Sequence, residues 1–145
     1  MNQSIAKVFG PFHGGRTGLG LLLLRVIVGS AFVVHGLPKI QAPFGWMPPG
    51  SPVPGIFQAL AALSEFGGGL ALIFGFLTPL AALGIASTMA VAYRMAHSQH
   101  PWISTGGPSF EIVALYFVAV VSILLTGPGK FSVDALLFGR SGRSR

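Results

Sequence analysis

The fold class this sequence predicts is all-α: a membrane-spanning four-helix bundle. Three observations predict it. Hydrophobic residues make up 52% of the chain and charged residues 8%, with a mean hydropathy of +0.73, which leaves too little charge to coat a soluble domain of 145 residues. Apolar runs at about 18–37, 56–77, 80–96 and 110–125 each approach the ~20 residues that a helix needs to cross ~30 Å of hydrocarbon. Basic residues gather before the first run (Lys7, Arg16) and after the last (Lys130, Arg140, Arg143, Arg145), as topology-setting charges do.

The first run carries Arg25 in its middle and no small-residue cleavage pattern follows it, so it is a retained span and not a secretory signal. Pro38 to Pro54 then holds six prolines together with Phe44 and Trp46, a composition suited to an ordered cap at the membrane interface. Between the second and third runs, Thr78-Pro79 offers a helix cap followed by proline at the first helical position, hence a tight turn. A second long connection, His97 to Ser109, contains His100-Pro101-Trp102, and Gly127-Pro128-Gly129 stops the fourth run. With basic residues at both ends, the positive-inside rule places both termini in the cytoplasm and both long connections outside. The expected organisation is a cytoplasmic segment 1–17, one transmembrane domain 18–138 and a basic tail 139–145.

Composition excludes several functions. The net charge of +6 does not form a dense basic face with interleaved aromatics, so nucleic acid is not an expected partner, whereas anionic headgroups are. The chain has no cysteine, which removes thiol relays, disulfides, iron–sulfur clusters and covalent haem. No intrinsic cofactor and no protein-bound metal are expected: His97 and His100 are three apart, but Pro101 ends the helix beside them. A b-type haem between His35 and His97 is a weaker alternative than a quinone or lipid headgroup, because an apolar groove ending in His, Arg and Glu offers donors to carbonyl oxygens and exchanges protons.

Of three acids, Glu65, Glu111 and Asp134, only Glu65 lies deep in an apolar run. A carboxylate at that depth faces the interior, pairs with a cation and marks a candidate site. Gly68, Gly69 and Leu72 share its face at three, four and seven residues, and Ala82, Ala86 and Ala90 repeat every four positions in the third run, so close helix contacts are expected. Arg25 lies roughly 10 Å into the first span and Glu65 roughly 14 Å into the second, which makes an Arg25–Glu65 ion pair the expected partnership. That pair either fixes helix packing or takes part in chemistry. A second constellation, His35, Lys39, Arg94, His97 and Glu111, is expected near the outer interface, where the same groove runs down toward Glu65. Each has a plainer reading: Glu111 as a first-turn carboxylate, Lys39 and Arg94 as cations reaching headgroups, His35 as a helix-end hydrogen-bonding residue. Asp134, two after Ser132, reads as a cap on a short helix.

The pattern Leu24-Arg25, Gly29, Phe32, His35-Gly36 and Lys39, then Glu65 with Gly67-Gly68-Gly69, Gly75 and Thr78-Pro79, then Glu111 followed by Leu125 through Lys130 and Ser132-Val133-Asp134, resembles the DoxX family of small four-helix bacterial membrane proteins. The likeness runs from Leu22 to Phe138. It implies a multi-pass protein of the bacterial cytoplasmic membrane, with relatives described as subunits of thiosulfate:quinone oxidoreductase or partners in membrane oxidoreductase complexes. It supplies no established catalytic set, and this short chain has no soluble domain to receive thiosulfate. Three functions follow as expectations: a subunit of an oxidoreductase or respiratory complex that contributes a quinone pocket; a non-catalytic assembly subunit held to a larger membrane complex or to its own copies; or a small transporter or lipid-handling protein. Whether the chain is itself an enzyme is left open by its residues.

Overall fold

The computed structural model describes residues 8–9 and 12–139, the side chain of His97 excepted. The expected flanking cations Lys7, Arg140, Arg143 and Arg145 lie outside the described residues. Regular structure among the described residues is helical: α1 (Gly15–Gln41), α2 (Gly55–Phe74), α3 (Thr78–Ala92), α4 (Glu111–Thr126) and the short α5 (Val133–Phe138), with a π-helical turn, Tyr93–His97, prolonging α3. Three helices, α1, α2 and α3 with its continuation to Ala96, are long and apolar enough to cross a membrane, whereas α4 is a shorter apolar helix of 16 residues. Leucine, isoleucine and valine side chains stay exposed along the outer faces, among them Leu23, Ile27 and Val34 of α1 and Leu60 and Leu63 of α2. Helices apolar on both faces are suited to lipid as the outer solvent.

α1 does not stop before Pro38 as its sequence suggests. It runs through that proline to Gln41, because a proline near a helix end forfeits one backbone bond and disturbs little beyond it. Its 27 residues reach about 40 Å, more than the ~30 Å hydrocarbon core. Lys39 is thereby carried outward as a helical residue in the last turn of α1.

Helices pack in chain order, α1 on α2, α2 on α3 and α3 on α4, and α4 returns to touch α1. Glycine sets the first two contacts. A Cβ placed on Gly29 would come 2.6 Å from the Gly69 carbonyl oxygen, and one on Gly36 would collide with the backbone of Phe66. Gly68 instead faces α3, where a Cβ would meet Ile85 at 3.2 Å. The adjacent glycines thus serve two neighbours, each allowing close approach. Val28, Phe32, Leu72, Ile85, Val120 and Ile123 fill the centre among all four helices.

The α2–α3 turn is tight, but its chemistry differs from the expected Thr78 cap. Gly75 and Leu77 both adopt left-handed backbone angles, φ 66° and 47°, and Thr78 is already helical with Pro79 just behind it. A leucine at positive φ costs about 1–2 kcal/mol, so something must hold it there. That something is Asp134.

Candidate functional site

Two buried polar clusters form, one toward each end of α1. At the first, Arg25 is fully buried; Nη1 donates to the Pro128 carbonyl at 2.6 Å and Nη2 to the Phe131 carbonyl. Asp134, equally buried, accepts from the backbone N–H groups of Leu77 at 2.8 Å and Thr78 at 2.9 Å, and its own N–H donates to the Gly75 carbonyl at 2.9 Å. A carboxylate at the first N–H groups of α3 satisfies donors that a helix start leaves open and favours the helix dipole. Asp134 is therefore a cap for α3, and the head of its own helix is capped by Ser132, whose Oγ accepts from Ala135 N at 3.1 Å. Residues 127–134 are in effect a clasp that closes α1, α2 and α3 at this end.

The expected Arg25–Glu65 pair does not form. Gly36 opposite Phe66 and Gly29 opposite Gly69 put Glu65 at the level of the last turns of α1, so Arg25 is too far down the helix to reach it. The depth estimate fails because α1 is longer than its apolar run. Glu65, 2% exposed, pairs with Lys39, whose Nζ lies 2.6 Å from both carboxylate oxygens. Charge-assisted hydrogen bonds at that distance are the strong kind. Lys39 is 25% exposed and its ammonium also sits 4.7 Å from the centre of the Trp46 ring, within cation–π range.

Trp46 is held in turn. Its Nε1 donates to the Gln58 carbonyl at 2.9 Å, while the buried Gln58 side chain accepts from Met47 N at 3.1 Å and donates to the Val53 carbonyl at 2.9 Å. One α2 residue thus fastens the proline-rich connection at three points. Beneath that connection lies a cavity of about 770 Å³ between α2 and α3, bordered by Lys39, Glu65, Trp46, Met47 and Val53 and continuing along Ala61, Ser64, Gly84 and Thr88. The small residues on both facing helices make the room. The Thr88 hydroxyl donates to the Gly84 carbonyl at 3.1 Å; the wall is mostly apolar, with the Ser64 hydroxyl along it and the charged groups at the ion pair. Size and lining match those of small-molecule sites.

The remaining expected residues do not join this cavity. His35 is exposed on α1, its ring edge-on to Tyr116 at 6.1 Å and 6.5 Å from Phe32. Arg94 borders a separate cavity of about 370 Å³ with Tyr93, Phe110 and Phe117, between α3 and α4. Glu111 opens α4, in its first turn, where the dipole favours a carboxylate. His97, needed for the haem alternative, has its side chain outside the described residues. Among the described residues no three of His, Cys, Asp and Glu come together as a metal site would need. The single groove expected to link Arg25, His35 and Lys39 is instead a clasp, an aromatic contact and an ion pair in three places. Gln58 was missed, although it is the one amide in the second apolar run and lies seven residues before Glu65, on the same helix face.

The DoxX family model matches residues 20–98, which takes in Arg25, Lys39, Glu65 and the connection between them. Among curated proteins, the chain is 34% identical to the inner membrane protein YqjF of Escherichia coli strain K12 over 123 residues, 82% of this chain and 92% of that one. It is 30% identical over 122 residues to CatD of Bacillus subtilis strain 168, provisionally named an oxidoreductase, covering 83% of this chain and 88% of that one. No solved structure matches it significantly.

Proposed function

The chain belongs to the DoxX family, and from that premise we propose that it serves as a membrane subunit of an oxidoreductase or respiratory complex and holds a quinone in the cavity between α2 and α3. It is a multi-pass protein of the bacterial inner membrane. The proposal adds that α4 crosses with the other three, and that both termini are cytoplasmic.

One observation carries the reading: a largely apolar cavity of about 770 Å³ ends on the buried Glu65 carboxylate and its partner Lys39. An ammonium has three donors, and the carboxylate engages two of its directions, so Lys39 can still donate to a carbonyl oxygen of the ring. Glu65 accepts from the phenolic oxygen of the reduced form and exchanges its proton, as a positioned carboxylate does. Trp46 provides a flat wall. Quinone reduction takes two electrons and two protons; the chain has no cysteine for a thiol relay, and the proposal assigns the electrons to a partner subunit. The oxidoreductase name of CatD agrees with such a setting. Arg25, His35, Arg94 and Glu111 have no part in this pocket.

Binding of a quinone analogue to the natively purified protein tests the reading. Saturable binding that is lost in Glu65→Gln and Lys39→Met and kept in His35→Ala is the expected result. No saturable binding, together with a stoichiometric partner whose turnover survives deletion of this chain, would establish the assembly-subunit reading instead.

A further inference from the structure

The cavity has a roof, a back and an opening, and their chemistries differ. The roof is the proline-rich connection, shut by the three hydrogen bonds to Gln58. The back is the Lys39–Glu65 pair beneath Trp46. The opening lies between α2 and α3, where the exposed lining residues include Phe57, Leu60, Val91 and Met95, at 59%, 51%, 55% and 50%, and Ala96. Ser87 is also exposed there, but its hydroxyl donates back to the Leu83 carbonyl at 2.9 Å. On helices that cross a bilayer, such an opening meets hydrocarbon and not water.

We propose that this opening is a lateral portal: the ligand enters from within the membrane between α2 and α3, and it is an amphiphile with an uncharged, oxygen-bearing head at Lys39–Glu65 and a hydrocarbon tail lying in the portal. The inference rests on the cavity being the binding site, as proposed above. The head is uncharged because the ion pair sums to zero: a phosphate or carboxylate would face Glu65 across a low-dielectric gap, and an ammonium would face Lys39, each at a cost. A head that both accepts from Lys39 and donates to Glu65 meets no such cost. The tail follows from the walls, since Ala61, Gly84 and Val91 offer a passing chain only apolar contact, worth about 0.8 kcal/mol for each buried methylene.

Trp46 reports on the cavity from inside. In vesicles holding the full chain with Trp102→Phe, so that Trp46 is the one remaining tryptophan, a benzoquinone with a decyl tail should quench its fluorescence saturably, and the tail-less head should quench without saturation. Ala61→Phe on α2 and Val91→Phe on α3 each obstruct the portal, and each should raise the half-quenching mole fraction about tenfold. The use of two helices keeps the test valid where one variant folds poorly, with thermal unfolding as the check. A doxyl-labelled fatty-acid methyl ester, neutral and tailed but not a quinone, separates the two proposals: saturable, portal-sensitive quenching by the ester alone preserves the portal and removes the quinone. Equal quenching by tailed and tail-less heads, or quenching unchanged in both folded portal variants, overturns the portal.

Discussion

Removal of Lys39 should harm this protein more than removal of the acid it neutralises, and the difference can be worked from burial. Glu65 is 2% exposed and Lys39 25%. In Lys39→Met the carboxylate stays buried without its cation, and breaking a buried pair in this way costs about 3–5 kcal/mol. The partial exposure of the Lys39 site gives water and headgroups some access, so the lower end, about 3 kcal/mol, is expected. In Glu65→Leu the orphan is Lys39, which stands in the last turn of α1 and can swing its long stem to the interface; about 1 kcal/mol is expected there. The double variant Lys39→Met/Glu65→Leu removes both charges and should return to within about 1 kcal/mol of the parent. Unfolding titrations in mixed micelles would give the cycle, with a coupling energy of about 3 kcal/mol between the two sites. Equal costs for the single variants, or a double variant whose cost is their sum, would refute the argument. The same double variant also separates packing from chemistry. It should be stable and yet bind no quinone, whereas a pair that only held helices together would leave binding intact.

Other perturbations probe the rest of the frame. Asp134→Ala strips the cap from α3 and leaves the buried N–H groups of Leu77 and Thr78 without their acceptor, and should cost about 1–3 kcal/mol in the same titration; Glu111→Gln should stay within about 0.5 kcal/mol. Gly75→Ala forces a Cβ into the Arg25 guanidinium at a backbone φ of 66° and should reduce the folded yield in membranes sharply, with a cost of at least about 1–3 kcal/mol; a stable, well-expressed variant would contradict the clasp. Gln58→Leu keeps the helix and the bond from Trp46 Nε1 to the backbone carbonyl of residue 58 but removes both side-chain bonds to the connection, so amide exchange at Met47, whose N–H loses its acceptor, should accelerate by about tenfold or more while α2 itself stays protected. Unchanged exchange there would show that the Gln58 side chain does not hold the roof.

The parts of this fold that the sequence made legible are those that composition and spacing control: apolar helices, a tight α2–α3 turn and glycine-mediated helix contacts. The partnership of charges was not, because it depends on register. Proline at position 38 reads as a stop, and ending α1 there lowers Lys39 out of the helix and raises Arg25 toward the acid. Only the paired close approaches, Gly29 to Gly69 and Gly36 to Phe66, fix which cation Glu65 meets. Asp134 illustrates the same limit. Its place two residues after Ser132 suggests a cap on its own short helix, a role that Ser132 fills instead; the helix that Asp134 caps begins 56 residues earlier in the chain, and no local pattern carries that information.

The two polar clusters differ in burial, Lys39 being partly exposed where Arg25 and Asp134 are not, and in what surrounds them. Arg25 spends both terminal nitrogens on backbone carbonyls of the closing segment, and Asp134 spends both oxygens on backbone N–H groups of the α2–α3 turn. Those partners belong to the fold itself and cannot be exchanged for a ligand without opening it. Lys39 and Glu65, by contrast, use side chains on each other and border empty volume. A ligand can therefore share their hydrogen bonds while the helices stay in place. The 14 residues of α1 from Arg25 to Lys39 set the clusters roughly 21 Å apart along the helix. The clasp can then bear the cost of an unusual turn, while the pair at the other end remains free to respond to what enters the cavity.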